Sequence, residues 1–557
     1  MNLPSIATIL NWTSLALALF VLNFALTFHN VWPTLWIETR YELSVEIALL
    51  VFALTLYARK LRPVSTKLLT ALALLLTAMT IGRYAEVTAP ALYGRPVNLY
   101  WDAQYLPHVA AMLIESQHPL LVIGLFAGIV LLLGSLFAIL RFALVRVVTG
   151  KEHNAVSLLS GVLIIIYMSG HLDLPVSKLL SYSIPVSKTY WQQANFIATA
   201  IADEGGLDVL PNIKPLGDYK LPKLKGSDVV IHFMESYGAI AFDSPIVASA
   251  IAPGRAELAS AIAATQRQVV SAYVVSPTFG GGSWLAHSSF MTGLDINKNS
   301  TYDLLLTQER PTLASRFTAL GYRSVALMPG LRSEWPEGRF YQFANILGSD
   351  ELDYRGPEFG WWRIPDQFSI ARFAELELVN QDRAPLFLMF ATISSHMPFR
   401  PTPPYQPDWS RILSAKPFDE VPVQNALALL PEWTNLQPAY AGTLDYTFNY
   451  LGGFFRAHPE QNFFWVIIGD HQPVASVSGE GARWDVPVHI VSANDDIIDS
   501  LLKLGFVEGL TPTEKPIGPM YELSVTLLEM LANPEITQVS TFVPPSSSPM
   551  EPGKTNL

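Results

Sequence analysis

Five side chains carry the chemistry open to this chain: Glu235 after DVVIHFM, Ser283 in GGGSWLAH, His396 in ISSHMPF, and the adjacent Asp470 and His471 in GDHQP. Two carboxylates, an imidazole and a hydroxyl make a mixed oxygen and nitrogen donor set. Such a set suits one divalent ion, Mn²⁺ or Zn²⁺. Glu235, Ser283, Asp470 and His471 are the candidate ligands. Ser283 follows Gly280, Gly281 and Gly282 and opens a segment that reads as a helix. Glycines let the backbone turn tightly, and a helix N-terminus offers free N–H groups and a positive dipole end to an anion. A serine held there by a cation can lose its proton near neutral pH and act as a nucleophile. The arrangement favours attack on a phosphorus or sulfur ester, with His396 as a proton carrier. Each motif also has a plain structural reading: Asp-His as a strand-end cap, and Ser283 as an ordinary N-cap. Their joint occurrence favours a site.

The elements that must position these residues are visible in the same half of the chain. The runs DVVIHFM, QVVSAYVV, SVALM, PLFLMFATI, NFFWVIIG and VPVHIVS are short and apolar, and alternate with helical stretches. That pattern predicts an α/β domain with a mainly parallel sheet covered on both faces. Glu235, the loop 276–287, His396 and Asp470-His471 each follow one of these runs. In open α/β sheets, ligands bind beyond the carboxyl ends of the strands. No P-loop or dinucleotide fingerprint follows the first run.

The chain has 557 residues, 50% of them hydrophobic and only 15% charged, with 36 basic against 47 acidic residues. The acidic balance argues against a nucleic-acid partner. The absence of cysteine excludes disulfides, thiolate metal sites and a cysteine nucleophile. The apolar excess lies before residue 172, where an all-α bundle of about five membrane spans is expected: Ile9–Phe28, Leu43–Tyr57, Leu68–Ile81, Pro119–Leu140 and Ala155–Met168. The second and third are short, and a buried helical hairpin is their alternative; the second requires Glu46 to be buried among helices. Arg59, Lys60, Arg62 and Lys67 follow span two, and Arg141, Arg146 and Lys151 follow span four. Positive-inside logic puts those loops in the cytoplasm and everything after residue 172 outside. The outward loop 82–118 reads as an interfacial helix or a packed surface loop. The expected divisions are 1–172 transmembrane, 173–226 linker with a helix near 190–201, 227–533 catalytic, and a disordered tail at 534–557.

The order of Glu235, Ser283 in GGGSW, His396 in ISSHMPF and Asp470-His471 in GDHQP resembles the sulfatase-like branch of the alkaline phosphatase superfamily. With the membrane half, the plan is similar to lipoteichoic acid synthases and lipid A phosphoethanolamine transferases. The resemblance covers about residues 1–530 in architecture and only these short segments in motif. It implies that Glu235, Asp470 and His471 are metal ligands, that Ser283 stands at the metal-bound nucleophile (Thr in those two groups), and that His396 contacts the substrate phosphate. The stretch SEWPEGRF resembles the head-group contact of lipoteichoic acid synthases, matching Trp335 and Arg339, with Arg332 as a rival. There are departures. Ser283 is followed by Trp-Leu-Ala-His, not by the formylglycine signature of true sulfatases. The phosphoethanolamine transferases are usually disulfide-rich in this domain. Asp366, His287 and His489 are loose candidates for a second ion, and stay outside the ligand set.

The expectation is an inner-membrane, multi-pass enzyme with its catalytic domain in the periplasm. It moves a phospho-alcohol head group, of phosphoglycerol or phosphoethanolamine type, from a phospholipid donor to an envelope glycan or lipid acceptor through a phospho-serine. The alternatives are an extracytoplasmic phosphodiesterase, phosphatase or sulfuric ester hydrolase, and a non-catalytic glycan- or lipid-binding protein. The last would be marked by loss of a ligand, and no ligand position is lost here.

Overall fold

A computed structural model describes residues 6–532 except 32–33, 61–63, scattered positions from 94 to 117, 171–179, 204–214, 333–334, 361–362 and 381. The chain divides into two units, residues 1–206 and 207–557. The boundary falls inside the stretch expected to be a linker.

The first unit is helical. Its helices are α1 (Ile6–Thr27), α2 (Val45–Lys60), α3 (Thr66–Tyr93), α4 (Pro119–Thr149), α5 (His153–Gly170) and α6 (Val186–Asp203). Five of them match the five expected spans in order. Among the described residues, four helices are long and apolar enough to cross a bilayer: α1, α3, α4 and α5. The fifth, α2, has 16 residues, short of the roughly 20 that a 30 Å hydrocarbon layer requires.

Two sequence expectations shift in this unit. The third span does not stop at Ile81, because the charges beyond it are paired. Arg83 Nε donates to the Phe28 carbonyl at 3.0 Å, and its guanidinium meets Glu86 at 3.3 Å and His29 at 3.1 Å. Glu46 is not simply buried between helices. Its carboxylate accepts the backbone N–H groups of Val186 (3.3 Å) and Ser187 (2.6 Å), so it caps α6. The juxtamembrane helix expected near 190–201 is α6. Most of the expected interfacial segment after Tyr93, and the tail from 534, lie outside the described residues.

The second unit is built on a nine-stranded sheet. Its strands are β1 (Asp228–Met234), β2 (Gln268–Val275), β3 (Arg323–Leu327), β4 (Asn345–Leu347), β5 (Leu386–Ala391), β6 (Phe463–Gly469), β7 (Asp485–Ser492), β8 (Val507–Glu508) and β9 (Pro516–Pro519). The order is β8-β2-β7-β6-β1-β5-β3-β4, with β9 also beside β2. The pairs β6-β1, β1-β5, β5-β3 and β3-β4 are parallel, whereas β7 runs antiparallel to both β6 and β2. All six apolar runs became strands. Every residue of β1, β6 and β7 is buried, which is why they read as unbroken apolar runs rather than alternating ones.

Helices cover both faces, each over its own core. On one face lie α7 (Ala252–Ala264), α9 (Asp366–Glu377) and α10 (Gln437–Ala457); on the other lie α8 (Ser283–Thr292) and α11 (Met520–Ala532). The α10 helix buries Tyr440, Leu444, Phe448, Leu451, Phe454 and Phe455. Each such side chain contributes roughly 1.5–3 kcal/mol of burial free energy. This clamps the central strands, and so fixes the ends of β1 and β6 that carry Glu235 and Asp470.

Candidate active site

The parallel strands β1 and β6 pair in register to Met234 and Gly469. The next residues are therefore Glu235 and Asp470, side by side at the carboxyl edge. Gly469 is required there: a Cβ on it would lie 1.8 Å from the Tyr237 carbonyl oxygen. Asp470 Oδ1 accepts the backbone N–H groups of Ser236 (2.8 Å) and His471 (2.7 Å). Its other oxygen, Oδ2, is buried and has no hydrogen-bond partner. Glu235 is held by distant segments. Its N–H donates to Thr392 Oγ1 (3.0 Å), and its carbonyl accepts from Ser395 Oγ (2.6 Å). The Tyr440 hydroxyl secures the next residue through the Ser236 carbonyl (2.9 Å).

Ser283 reaches this edge from the loop after β2. Gly280, Gly281 and Gly282 all have positive φ, at 67°, 142° and 78°, a run that only glycine adopts without strain. Gly282 is the helix cap, so Ser283 is the first residue of α8 and its hydroxyl caps nothing. The hydroxyl points to the edge: Oγ donates to Glu235 Oε2 at 3.0 Å and lies 3.1 Å from His471 Nε2. The other hydroxyls before the helix are committed elsewhere: Ser276 Oγ donates to the Asp470 carbonyl and Thr278 Oγ1 to the Gly281 carbonyl.

Glu235, Asp470 and His471 are all buried, and each places a ligand atom within 4.8 Å of the other two. His471 Nδ1 donates to the Gln472 carbonyl (2.7 Å). A carbonyl can only accept, so the proton is on Nδ1 and Nε2 keeps its lone pair for a ligand. Burial, then the charge of Glu235, pushes the Asp470 carboxyl up to about 6. Burial pulls the His471 imidazole down, but Asp470 and Glu235 outweigh it, and its pKa is raised. Two buried carboxylates with an unpaired inward oxygen form a cradle for a cation. The donor set fits a divalent ion, as expected from the sequence, and contains nothing that selects Mn²⁺ over Zn²⁺.

His396 belongs to the same neighbourhood, and its imidazole feels the charges of His471 and Asp470. Its Nδ1 donates to the Met397 carbonyl at 2.7 Å, which leaves Nε2 with a lone pair. Burial lowers its pKa. Asp366, a loose metal candidate, has a different task. Its oxygens accept the N–H groups of Ile393 (3.0 Å) and Ser394 (2.8 Å), anchoring the loop that carries His396. Burial raises its pKa to about 6. His489 is a satisfied core histidine between Tyr237 Oη (2.9 Å) and Ser271 Oγ (2.6 Å).

Trp335 and Arg339 lie elsewhere. With Arg332, Phe343, Asp350 and Glu351 they line a cavity of about 670 Å³, and none of the four candidate ligands is in its lining. A packed link joins the two places: Trp335 stacks on Tyr341 (5.4 Å between centroids), and the Tyr341 hydroxyl meets Ser288 Oγ on α8 at 2.6 Å.

Residues 259–486 match the family model for sulfatases. That segment contains Ser283, His396, Asp470 and His471; Glu235 precedes it. Over that segment the chain is sulfatase-like. Comparison with curated proteins yields no match. Among solved structures, the chain is similar to the lipoteichoic acid synthase LtaP of Listeria monocytogenes at 14% identity, with 60% of this chain and 78% of that one covered and a TM-score of 0.36. The Streptococcus pyogenes phosphoglycerol transferase GacH, in complex with sn-glycerol-1-phosphate, is also 14% identical, with 57% and 88% covered and a TM-score of 0.34. The periplasmic domain of EcEptC from Escherichia coli is 14% identical, with 56% and 91% covered and a TM-score of 0.32.

Proposed function

We propose that this sulfatase-like enzyme is a membrane-anchored phosphotransferase. It moves a phospho-alcohol head group from a phospholipid donor to a hydroxyl of an envelope glycan or lipid, through a phospho-serine at Ser283. The observation that carries the reading is the Ser283 hydroxyl at the N-terminus of α8, turned to Glu235 at 3.0 Å and to His471 Nε2 at 3.1 Å. It is a nucleophile beside a donor set for a cation, with helix N–H groups available to a phosphoryl oxygen. The long apolar helices of the first unit support a donor drawn from the bilayer.

Glu235, Asp470, His471 and Ser283 Oγ would hold one divalent ion, Mn²⁺ or Zn²⁺, which lowers the pKa of the hydroxyl and offsets charge on the phosphoryl oxygens. In the first half-reaction, Ser283 Oγ bonds to phosphorus and the P–O bond to diacylglycerol breaks. Ser283 gives up its proton to solvent, and the diacylglycerol oxygen gains one from solvent. In the second half-reaction, the acceptor hydroxyl attacks phosphorus and passes its proton to the lone pair of His396 Nε2. The P–O bond to Ser283 breaks, and the serine is reprotonated. The proton on Nδ1, donated to the Met397 carbonyl, suits His396 to the base role. Trp335 and Arg339, in the separate cavity, would bind a polar part of the substrate away from the reacting phosphorus. The Lys and Arg asymmetry of the membrane loops supports an extracytoplasmic catalytic domain.

The test is lipid mass spectrometry after incubating the full-length protein with total membrane lipid and Mn²⁺. Release of diacylglycerol is expected. Release of phosphatidic acid would place the cleavage on the other side of phosphorus and contradict the reading. Free phospho-alcohol as the sole second product would make water the acceptor and the protein a phosphodiesterase.

A further inference from the structure

One titratable group at the site has no part in the mechanism above. His287 lies one helical turn beyond Ser283 on α8, and so on the same face. Its ring packs against Phe233, 4.3 Å between centroids, in the strand that ends at Glu235. Its Nε2 is buried without a hydrogen-bond partner, and so is Asp470 Oδ2. The two unpaired atoms face each other at 3.8 Å.

That spacing resembles the 3.7 Å between His471 Nε2 and the same oxygen, which raises the question of whether His287 is another ligand. The larger geometry argues against it. Glu235, Asp470 and His471 form a set with all ligand atoms within 4.8 Å, and His287 does not join that set. Donor atoms sharing one ion at about 2.1 Å can be no more than about 4.2 Å apart. A lone pair on Nε2 facing the lone pairs of Oδ2 would be repulsive, so the proton belongs on Nε2. At 3.8 Å this N–H acts on the carboxylate as an aligned dipole rather than as a direct hydrogen bond. Asp470 Oδ1 is already held by two backbone N–H groups. The orientation of Oδ2, the oxygen left for the cation, is thus the one feature of this carboxylate that the backbone does not set alone.

We propose that His287 is a positioning residue: its Nε2–H orients Oδ2 of Asp470 for the cation, from the helix that also presents Ser283. This rests on the cation reading of the site. Partners of metal-ligating carboxylates typically change metal affinity by about 10- to 100-fold when removed. The α8 helix then carries two functions one turn apart, the nucleophile and the group that aims a ligand. Any movement of α8 would alter both together.

The test is Mn²⁺ titration calorimetry on the full-length protein in detergent, with His287→Phe, His287→Gln and His471→Ala. Phenylalanine keeps the ring against Phe233 and removes the donor; glutamine offers an N–H at similar reach. His287→Phe should bind Mn²⁺ about 10- to 100-fold more weakly, and His287→Gln should stay near wild type. Pulsed EPR of the Mn²⁺-bound wild type should show one imidazole nitrogen coupling, from His471, unchanged in both His287 variants. Wild-type affinity in His287→Phe, or an equal loss in the two variants, would overturn the positioning role. So would a second imidazole coupling that vanishes with His287, which would make it a ligand. Full affinity in His471→Ala would instead overturn the cation site itself.

Discussion

Asp470→Asn separates the cost of the site from its use. Asp470 is fully buried, and burial with the charge of Glu235 raises its carboxyl from an ordinary 3.8 to about 6. The folded chain without a cation therefore binds the proton more tightly than the unfolded chain does. Between pH 4 and 6 stability falls as pH rises, and above 6 the full penalty is present. Two pKa units correspond to roughly 3 kcal/mol. Asparagine keeps a carbonyl oxygen for the N–H groups of Ser236 and His471 and carries no charge. In chelator at pH 7.5, Asp470→Asn should therefore unfold later than wild type, by up to roughly 3 kcal/mol. At pH 4.5 most of that advantage should vanish, since Asp470 is then largely protonated in the folded chain. Added Mn²⁺ reverses the order: at 100 times the Kd it stabilises wild type by about 2.7 kcal/mol, and the variant, lacking a charged ligand, should gain little. Thermal unfolding of the full-length protein in detergent, in chelator or Mn²⁺ at both pH values, reads all of this. A variant less stable than wild type in chelator at pH 7.5, or one that gains as much from Mn²⁺, would refute the reasoning.

Other changes probe the frame around the site. Gly469→Ala places a methyl group 1.8 Å from the Tyr237 carbonyl, a backbone clash that no rotamer relieves. A loss of roughly 4 kcal/mol or more is expected, and a melting temperature near wild type would contradict it. His232 is buried against Phe390 and Trp465, and burial pushes its pKa down to about 3. The unfolded chain binds that proton first, so stability falls as pH drops from about 6.5, by about 1.4 kcal/mol per unit. His232→Phe should move the acid-unfolding midpoint to lower pH; an unmoved midpoint would mean the histidine is not held neutral. A reporter fused after Lys225 should be active only if it folds outside the cytoplasm, and cytoplasmic activity would reverse the proposed orientation.

What could be read from residues alone follows a physical pattern. β1, β6 and β7 were legible because strands buried on both faces leave unbroken apolar runs. The antiparallel direction of β7 was not, since that pattern carries no sign. The short strands β4, β8 and β9 are too brief to stand out. Convergence of Glu235, Ser283, Asp470 and His471 followed from the strand-end rule. The residues that hold Glu235 in place, Thr392, Ser395 and Tyr440, come from segments more than 150 positions away and leave no local signal. The task of Asp366 was hidden for the same reason: the N–H groups it holds, those of Ile393 and Ser394, belong to another segment. Helix α3 ran past its expected end because Arg83 finds partners in Phe28 and His29, from another segment, as well as in Glu86. The i, i+4 spacing of Ser283 and His287 was visible and located His287 near the site, but only the distance to Asp470 suggested what it does there.

The central claim is that Ser283 is the nucleophile, and it has a rival hydroxyl in the same loop. Thr278 spends its proton on the Gly281 carbonyl, whereas Ser283 turns its own toward Glu235 and His471. The decisive measurement is peptide-level mass spectrometry of the full-length protein quenched during incubation with phospholipid and Mn²⁺, in wild type, Ser283→Ala and Thr278→Ala. A phospho-alcohol adduct on Ser283 in wild type and in Thr278→Ala, absent from Ser283→Ala with turnover reduced by several orders of magnitude, is the predicted result. An adduct mapped to Thr278, or one that persists in Ser283→Ala, would contradict it.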